Sequence, residues 1–150
     1  MWDYPRPPRL ERVARRIVVE VGGVVVADTT AALRVLETSH PPTYYLPPED
    51  WRPGAIEPAA GGSFCEWKGR AVYWTVCGGP RREEAAAWSY PDPTPAFSEL
   101  RDAVAVYCAR TDRCTVDGEV ARPQPGGFYG GWVTSSVVGP FKGVAGSWGW

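Results

Sequence analysis

Lysine is almost missing from this chain of 150 residues. Of its 16 Lys and Arg side chains, Lys68 and Lys142 are the two lysines and the other 14 are arginines. Charge of one sign is lacking too: the formal net charge is −1, with no interleaved basic stripe. The densest positive stretch, Arg6, Arg9, Arg12, Arg15 and Arg16, lies among prolines near one end. Nucleic-acid binding wants a broader basic face, so no nucleic-acid partner is expected. No apolar run approaches the ~20 residues of a membrane span. The stretch Met1-Trp2-Asp3-Tyr4-Pro5 lacks the charged-then-apolar pattern of a secretory signal. The expectation is a cytoplasmic protein with no membrane partner. In such a reducing compartment Cys65, Cys77, Cys108 and Cys114 are expected as free thiols. They contain no Cys-x-x-Cys spacing, and His40 is the single histidine, so neither a metal site nor a cofactor is expected.

Glycine (17) and proline (16) are abundant and spread along the chain, which leaves little room for long helices. The length suits one domain, able to bury about 68–70% of its unfolded surface. The expected fold is mainly β: a single compact domain of short antiparallel strands, β-tent-like, with one short helix. Ile17 to Val21 and Val24 to Ala27 flank Gly22-Gly23 and predict a two-residue hairpin. Ala32 to Leu36 reads as a strand stopped at Thr38-Ser39-His40-Pro41-Pro42, and Thr43 to Leu46 as another. Pro48 to Trp51 reads as one helical turn. Ser63 to Lys68 and Arg70 to Cys77 make the clearest β pair, with Gly69 at the turn. Glu84 to Tyr90, Val104 to Cys108, Cys114 to Val116 and Glu119 to Ala121 complete the strands, with Asp117-Gly118 turning between the last two. Thr94 to Arg101 is the helix candidate, with Thr94 as cap, Pro95 at the first position, and Phe97 and Leu100 on one face.

From Pro123 onward Lys142 is the one charged side chain, amid glycines and the aromatics Phe128, Tyr129, Trp132, Phe141, Trp148 and Trp150. A disordered tail is charged and poor in aromatics. A β-rich domain at 1–125 and a Gly/aromatic-rich extension at 126–150 are therefore expected. The extension packs on the domain or on a partner subunit, which gives a route to a homo-oligomer.

Both lysines share one frame, aromatic-Lys-Gly: Trp67-Lys68-Gly69 and Phe141-Lys142-Gly143. An ammonium is a compact charge whose pKa falls on burial, whereas guanidinium stays charged. The bland reading is a hairpin turn with an exposed lysine; the functional reading is a charge held for a ligand.

Polar and aromatic groups bunch between Glu37 and Tyr90. Leu36-Glu37-Thr38 and Tyr44-Tyr45-Leu46-Pro47 lead to Cys65-Glu66-Trp67-Lys68-Gly69. Tyr73-Trp74 and Ala87-Trp88-Ser89-Tyr90-Pro91-Asp92-Pro93 follow. With Ala27-Asp28-Thr29, these words resemble an uncharacterised bacterial family, the domain-of-unknown-function family four-twenty-seven, once labelled nucleotidyltransferase-like. The resemblance covers about residues 5–110, with Glu66 where proline is usual. It implies a compact β fold similar in outline to methionine sulfoxide reductase B and the thalidomide-binding domain of cereblon. The zinc knuckles of those proteins are lacking here, so their zinc and redox chemistry is not carried over. The label finds no support either: there is no phosphate-cradling Gly-Lys-Ser/Thr loop and no paired Asp-x-Asp.

The leading expectation is a small-molecule-binding domain whose ligand is not named by any motif. Trp67, Tyr73, Trp88 and Tyr90 offer flat walls, with Glu37 and Tyr44 nearby. Lys68 supplies charge, His40 the one imidazole for proton transfer, and the extension brings Lys142 to the mouth. An enzyme using Lys68 or Cys65, with His40 as acid/base, is the second reading. A non-enzymatic interaction module docking through the aromatic tail is the third. For any single aromatic, core packing is the competing role; Cys65 reads as structural before catalytic, and Cys77, Cys108 and Cys114 as structural.

Overall fold

The computed structural model describes residues 9–36, 41–65, 68–123 and 131–134. The chain is mainly β, as expected, and every strand pairing among the described residues is antiparallel. One sheet orders β1 (Arg9–Val13), β4 (Ala32–Leu36) and β5 (Thr43–Tyr45). A second runs β11 (Glu119–Val120), β10 (Arg113–Val116), β2 (Ile17–Val21), β3 (Val24–Thr29). A third runs β6 (Ile56–Cys65), β7 (Gly69–Gly78), β8 (Arg81–Ser89), β9 (Val104–Val106). A short pair joins β12 (Arg122–Pro123) to β13 (Trp132–Val133). Leu46 and Val104 exchange both backbone hydrogen bonds, at 2.9 and 2.8 Å, and so tie the β1–β4–β5 sheet to β9. Among the described residues no helix is long and apolar enough to cross a membrane.

The third sheet is covered on both faces. Alternation on β9 sends Val104 and Val106 into a first core cluster with Ile17, Val19, Val26, Leu46 and Trp132. It sends Ala103 and Ala105 into a second, with Tyr45, Trp88, Tyr90, Phe97 and Leu100. Strand side chains point to opposite faces in turn, so one strand serves two cores.

Gly22 and Gly78 set how closely two sheets approach. Gly22 turns the β2–β3 hairpin at φ +63°, and a Cβ there would lie 1.8 Å from the Gly78 carbonyl oxygen. A Cβ on Gly78 would lie 2.1 Å from the Val21 carbonyl oxygen. Ions fasten the same corner. Asp112 accepts from the Gly23 N–H at 2.7 Å and pairs with Arg81. Arg81 and Arg110 both bind Glu83, at 3.0 and 2.9 Å. Arg110 lowers the Glu83 pKa first and Arg81 next, and the Gly23 N–H chiefly lowers that of Asp112.

Several expectations need correction. The basic stretch near the start holds β1, which composition hides: Glu11 pairs with Arg34 across β4, so a charged strand still finds partners. Strand β6 begins at Ile56 rather than Ser63, because a bulge absorbs Ala59, Ala60 and Gly61. The 94–101 helix is a 3-10 segment, Pro95–Leu100, broken at Phe97 (φ −118°, ψ 23°), and Thr94 makes no side-chain cap bond. Six residues cannot offset helix nucleation, so packing of Phe97 and Leu100 decides the shape.

Two outcomes are expected. Gly78→Ala destabilises by about 3 kcal/mol or more through backbone overlap, whereas Gly118→Ala, with open space around it, costs about 1–2 kcal/mol from positive φ alone; urea melts measure both. Folded Glu83 and Asp112 lie below their ordinary values of 4.5 and 3.8. Their stabilisation is therefore complete above those values and disappears as pH falls through the folded pKa values. The Glu83→Gln/Asp112→Asn double variant should lose less stability than wild type between neutral and strongly acid pH, read by thermal melting at each pH.

Candidate functional site

One face of the third sheet gathers aromatic rings. Trp88 and Tyr90 lie two apart on and just beyond β8, and Tyr73 on β7 is the register partner of Trp88. Ala105 on β9 faces Trp88 from the other side, its small side chain leaving room for the indole. Tyr107 then packs its ring 4.6 Å from Trp88. Tyr45 covers the layer from β5, with ring centroids 6.3 Å from Trp88 and 6.2 Å from Tyr90. Burial raises the Tyr107 pKa, and the neighbouring Tyr73 and Tyr45 add to the shift.

Both neighbours of β7 bulge where Tyr73 and Thr75 sit. Ala59, Ala60 and Gly61 of β6 oppose Tyr73 alone, and Glu84, Ala85 and Ala86 of β8 oppose Thr75 alone. Gly61, at φ +97°, lies under the Tyr73 ring. Bulges re-aim side chains and concentrate beside functional sites.

Lys68 enters this layer at the end of β7. Its carbonyl accepts the Thr94 N–H at 3.1 Å, and Gly69 (φ +107°) presses on the Asp92 and Pro93 backbone. The hairpin end is thereby held against the loop after Tyr90. Lys68 is 7% exposed, with its Nζ 6.0 Å over the Tyr90 ring. That is the outer reach of a cation–π contact, which contributes about 0.5–1 kcal/mol where exposed and more where desolvated. Lys68 is thus no solvent-facing turn residue.

The remaining expected site residues divide. Tyr73, Trp88, Tyr90 and Lys68 come together. Tyr44 goes to the opposite face, its ring 5.0 Å from Trp132, with Arg34 bonded to its side chain. Glu37, His40, Trp67 and Lys142 lie outside the described residues, and of Cys65 the backbone alone is described. Tyr45 and Tyr107 were missed. Tyr107 follows Ala103 and Ala105 at period two, which was readable; for the Tyr44-Tyr45 doublet only pairing register chooses the face.

Of the other thiols, Cys108 and Cys114 are buried and Cys77 is half-buried. Cys114 Sγ lies 3.3 Å from the Thr111 hydroxyl, and burial pushes the Cys108 thiol far up. Among the described residues no three His, Cys, Asp or Glu side chains converge as metal ligands.

Sheet order and aromatic layer together define an antiparallel β domain with one buried lysine set among tyrosines and a tryptophan. The profile of the domain of unknown function DUF427 matches residues 9–117, and the chain belongs to that family. The match runs from β1 to the turn after β10 and so contains the whole aromatic layer. No curated protein matches the chain.

Trp88→Ala should cost about 3–5 kcal/mol of stability, because Trp88 joins Tyr45, Tyr73 and Tyr107 across four strand regions; a urea titration checks this.

Proposed function

We propose that this domain binds a small molecule against the Tyr73–Trp88–Tyr90 layer, with Lys68 holding an anionic or carbonyl group of the ligand. The observation that carries the reading is the burial of Lys68 over Tyr90, at 7% exposure. Burying an ammonium is costly, and a chain with 14 arginines keeps a lysine here. A compact, hydrated point charge suits contact with one ligand oxygen; a guanidinium fork would fill the same space with a plane. Aromatic faces supply apolar area, and the phenol groups supply polar tips. Trp67 beside Lys68, Glu37 and His40 before β5, and Lys142 from the extension complete the proposed lining, and Tyr44, turned to Trp132, is left out of it. The protein works in this role in the cytoplasm, without a bound cofactor.

The test compares native with denatured mass of freshly purified protein, then screens carboxylates and phosphates by melting shift. A retained small mass or a specific stabilising ligand is expected. Lys68→Ala and Lys68→Arg should each weaken binding about tenfold or more, the size of a lost charge-assisted hydrogen bond. If both variants keep every ligand-induced shift while remaining folded, Lys68 serves packing alone.

A further inference from the structure

The face of β1–β4–β5 that carries Leu33 and Tyr45 packs on Phe97, Leu100 and Ala103 along part of its length. Where the two layers separate, a groove of about 710 Å³ opens. Its volume falls within the range of small-molecule sites, about 300–1,000 Å³. Leu33, Pro47 and Pro48 make its accessible apolar floor, with the buried Ala32, Tyr45 and Ala103 beneath, and charged side chains make the rim.

The rim carries charge of both signs. Arg12 and Glu99 pair with one another across it, at 2.9 Å, and are 84% and 52% exposed. They neutralise each other. Arg101 has Asp92 as its acidic neighbour at 3.9 Å, with Asp92 94% exposed, so that pair is weak. On the same rim Glu49 and Asp102 enter no ion pair among the described residues. Among the described residues, one guanidinium with a single distant partner and two carboxylates without an ion pair therefore stand around an apolar floor. A simple organic anion would meet two like charges, and a simple amine would meet the Arg101 cation.

We infer that this groove is a second binding site, for a zwitterion of the amino-acid or dipeptide kind with a large apolar side chain. The carboxylate of the ligand meets Arg101, its ammonium meets Glu49 and Asp102, and its side chain covers Leu33 and Pro47. The site is separate from the one at Lys68. Tyr45 is the ring they share, since it lies beneath the groove floor and touches Tyr90, over which Lys68 lies.

Calorimetric titration of the full chain with phenylalanyl-leucine, L-phenylalanine, phenylacetate and phenethylamine tests this. The dipeptide or the amino acid should bind, with each singly charged probe about tenfold or more weaker, one charge-assisted contact being lost. Arg101→Ala and Glu49→Gln/Asp102→Asn should each weaken dipeptide binding to a similar degree, at unchanged melting temperature, while Lys68→Ala leaves it intact. Asparagine at 102 tolerates the positive φ of +62° found there. Binding of no probe, equal binding of phenylacetate and the dipeptide, or insensitivity to both rim variants overturns the assignment. Loss with Lys68→Ala alone would assign the dipeptide to the Lys68 site and remove the groove from the account.

Discussion

The backbone contact between the Gly22 turn and Gly78 is the constraint on which the rest of this fold rests. It brings the β2–β3 hairpin onto the end of β7 with no side chain between them, at a separation where a single methyl group would overlap a carbonyl oxygen. That approach closes the first core, in which Val19, Val21 and Val26 meet Val76. It also draws in the ion network of Arg81, Glu83, Arg110 and Asp112, whose members come from β8 and the 108–113 turn. Exposed ion pairs contribute little singly. Here several share partners and hold one backbone N–H, so geometry is what they secure.

With one face of the third sheet closed by that core, the other face is available for the aromatic layer. β9 and the second half of β8, beyond its bulge, are buried on both sides, and alternation there allots their side chains. Small residues at Ala71 and Ala105 leave the volume that Trp88 and Tyr90 fill. Lys68 then reaches this layer because Gly69 can adopt φ +107° against the Asp92–Pro93 backbone. A larger residue at Gly69 would push the lysine away from Tyr90. The lysine's position is a consequence of backbone packing at the hairpin end as much as of its own chemistry.

Much of the strand pattern was legible. The Gly22-Gly23 hairpin, the Arg70 to Cys77 strand and the Asp117-Gly118 turn follow from turn chemistry and β-branched runs, which are local. The first strand was not legible, since Arg9-Leu10-Glu11-Arg12-Val13 is a strand by virtue of pairing with β4 rather than by its own propensity. The short helix failed for the complementary reason. Its proline signal was correct, with Pro95 opening the segment, but Thr94 makes no side-chain cap bond and six residues held by Phe97 and Leu100 settle as 3-10 turns.

The sequence by itself determined an antiparallel β domain, its family, and a clustering of aromatics near an unusual lysine, because alternation, turn residues and motif words are local properties. Tertiary structure alone decided which aromatics meet. Tyr44 and Tyr45 are equivalent as letters, yet register with β4 sends one to Trp132 and the other to Trp88 and Tyr90. It also decided that Lys68 is buried and that a charged groove opens beside Tyr45. Such outcomes depend on how separate strands pair and how closely their backbones approach, and no local stretch of sequence encodes that distance.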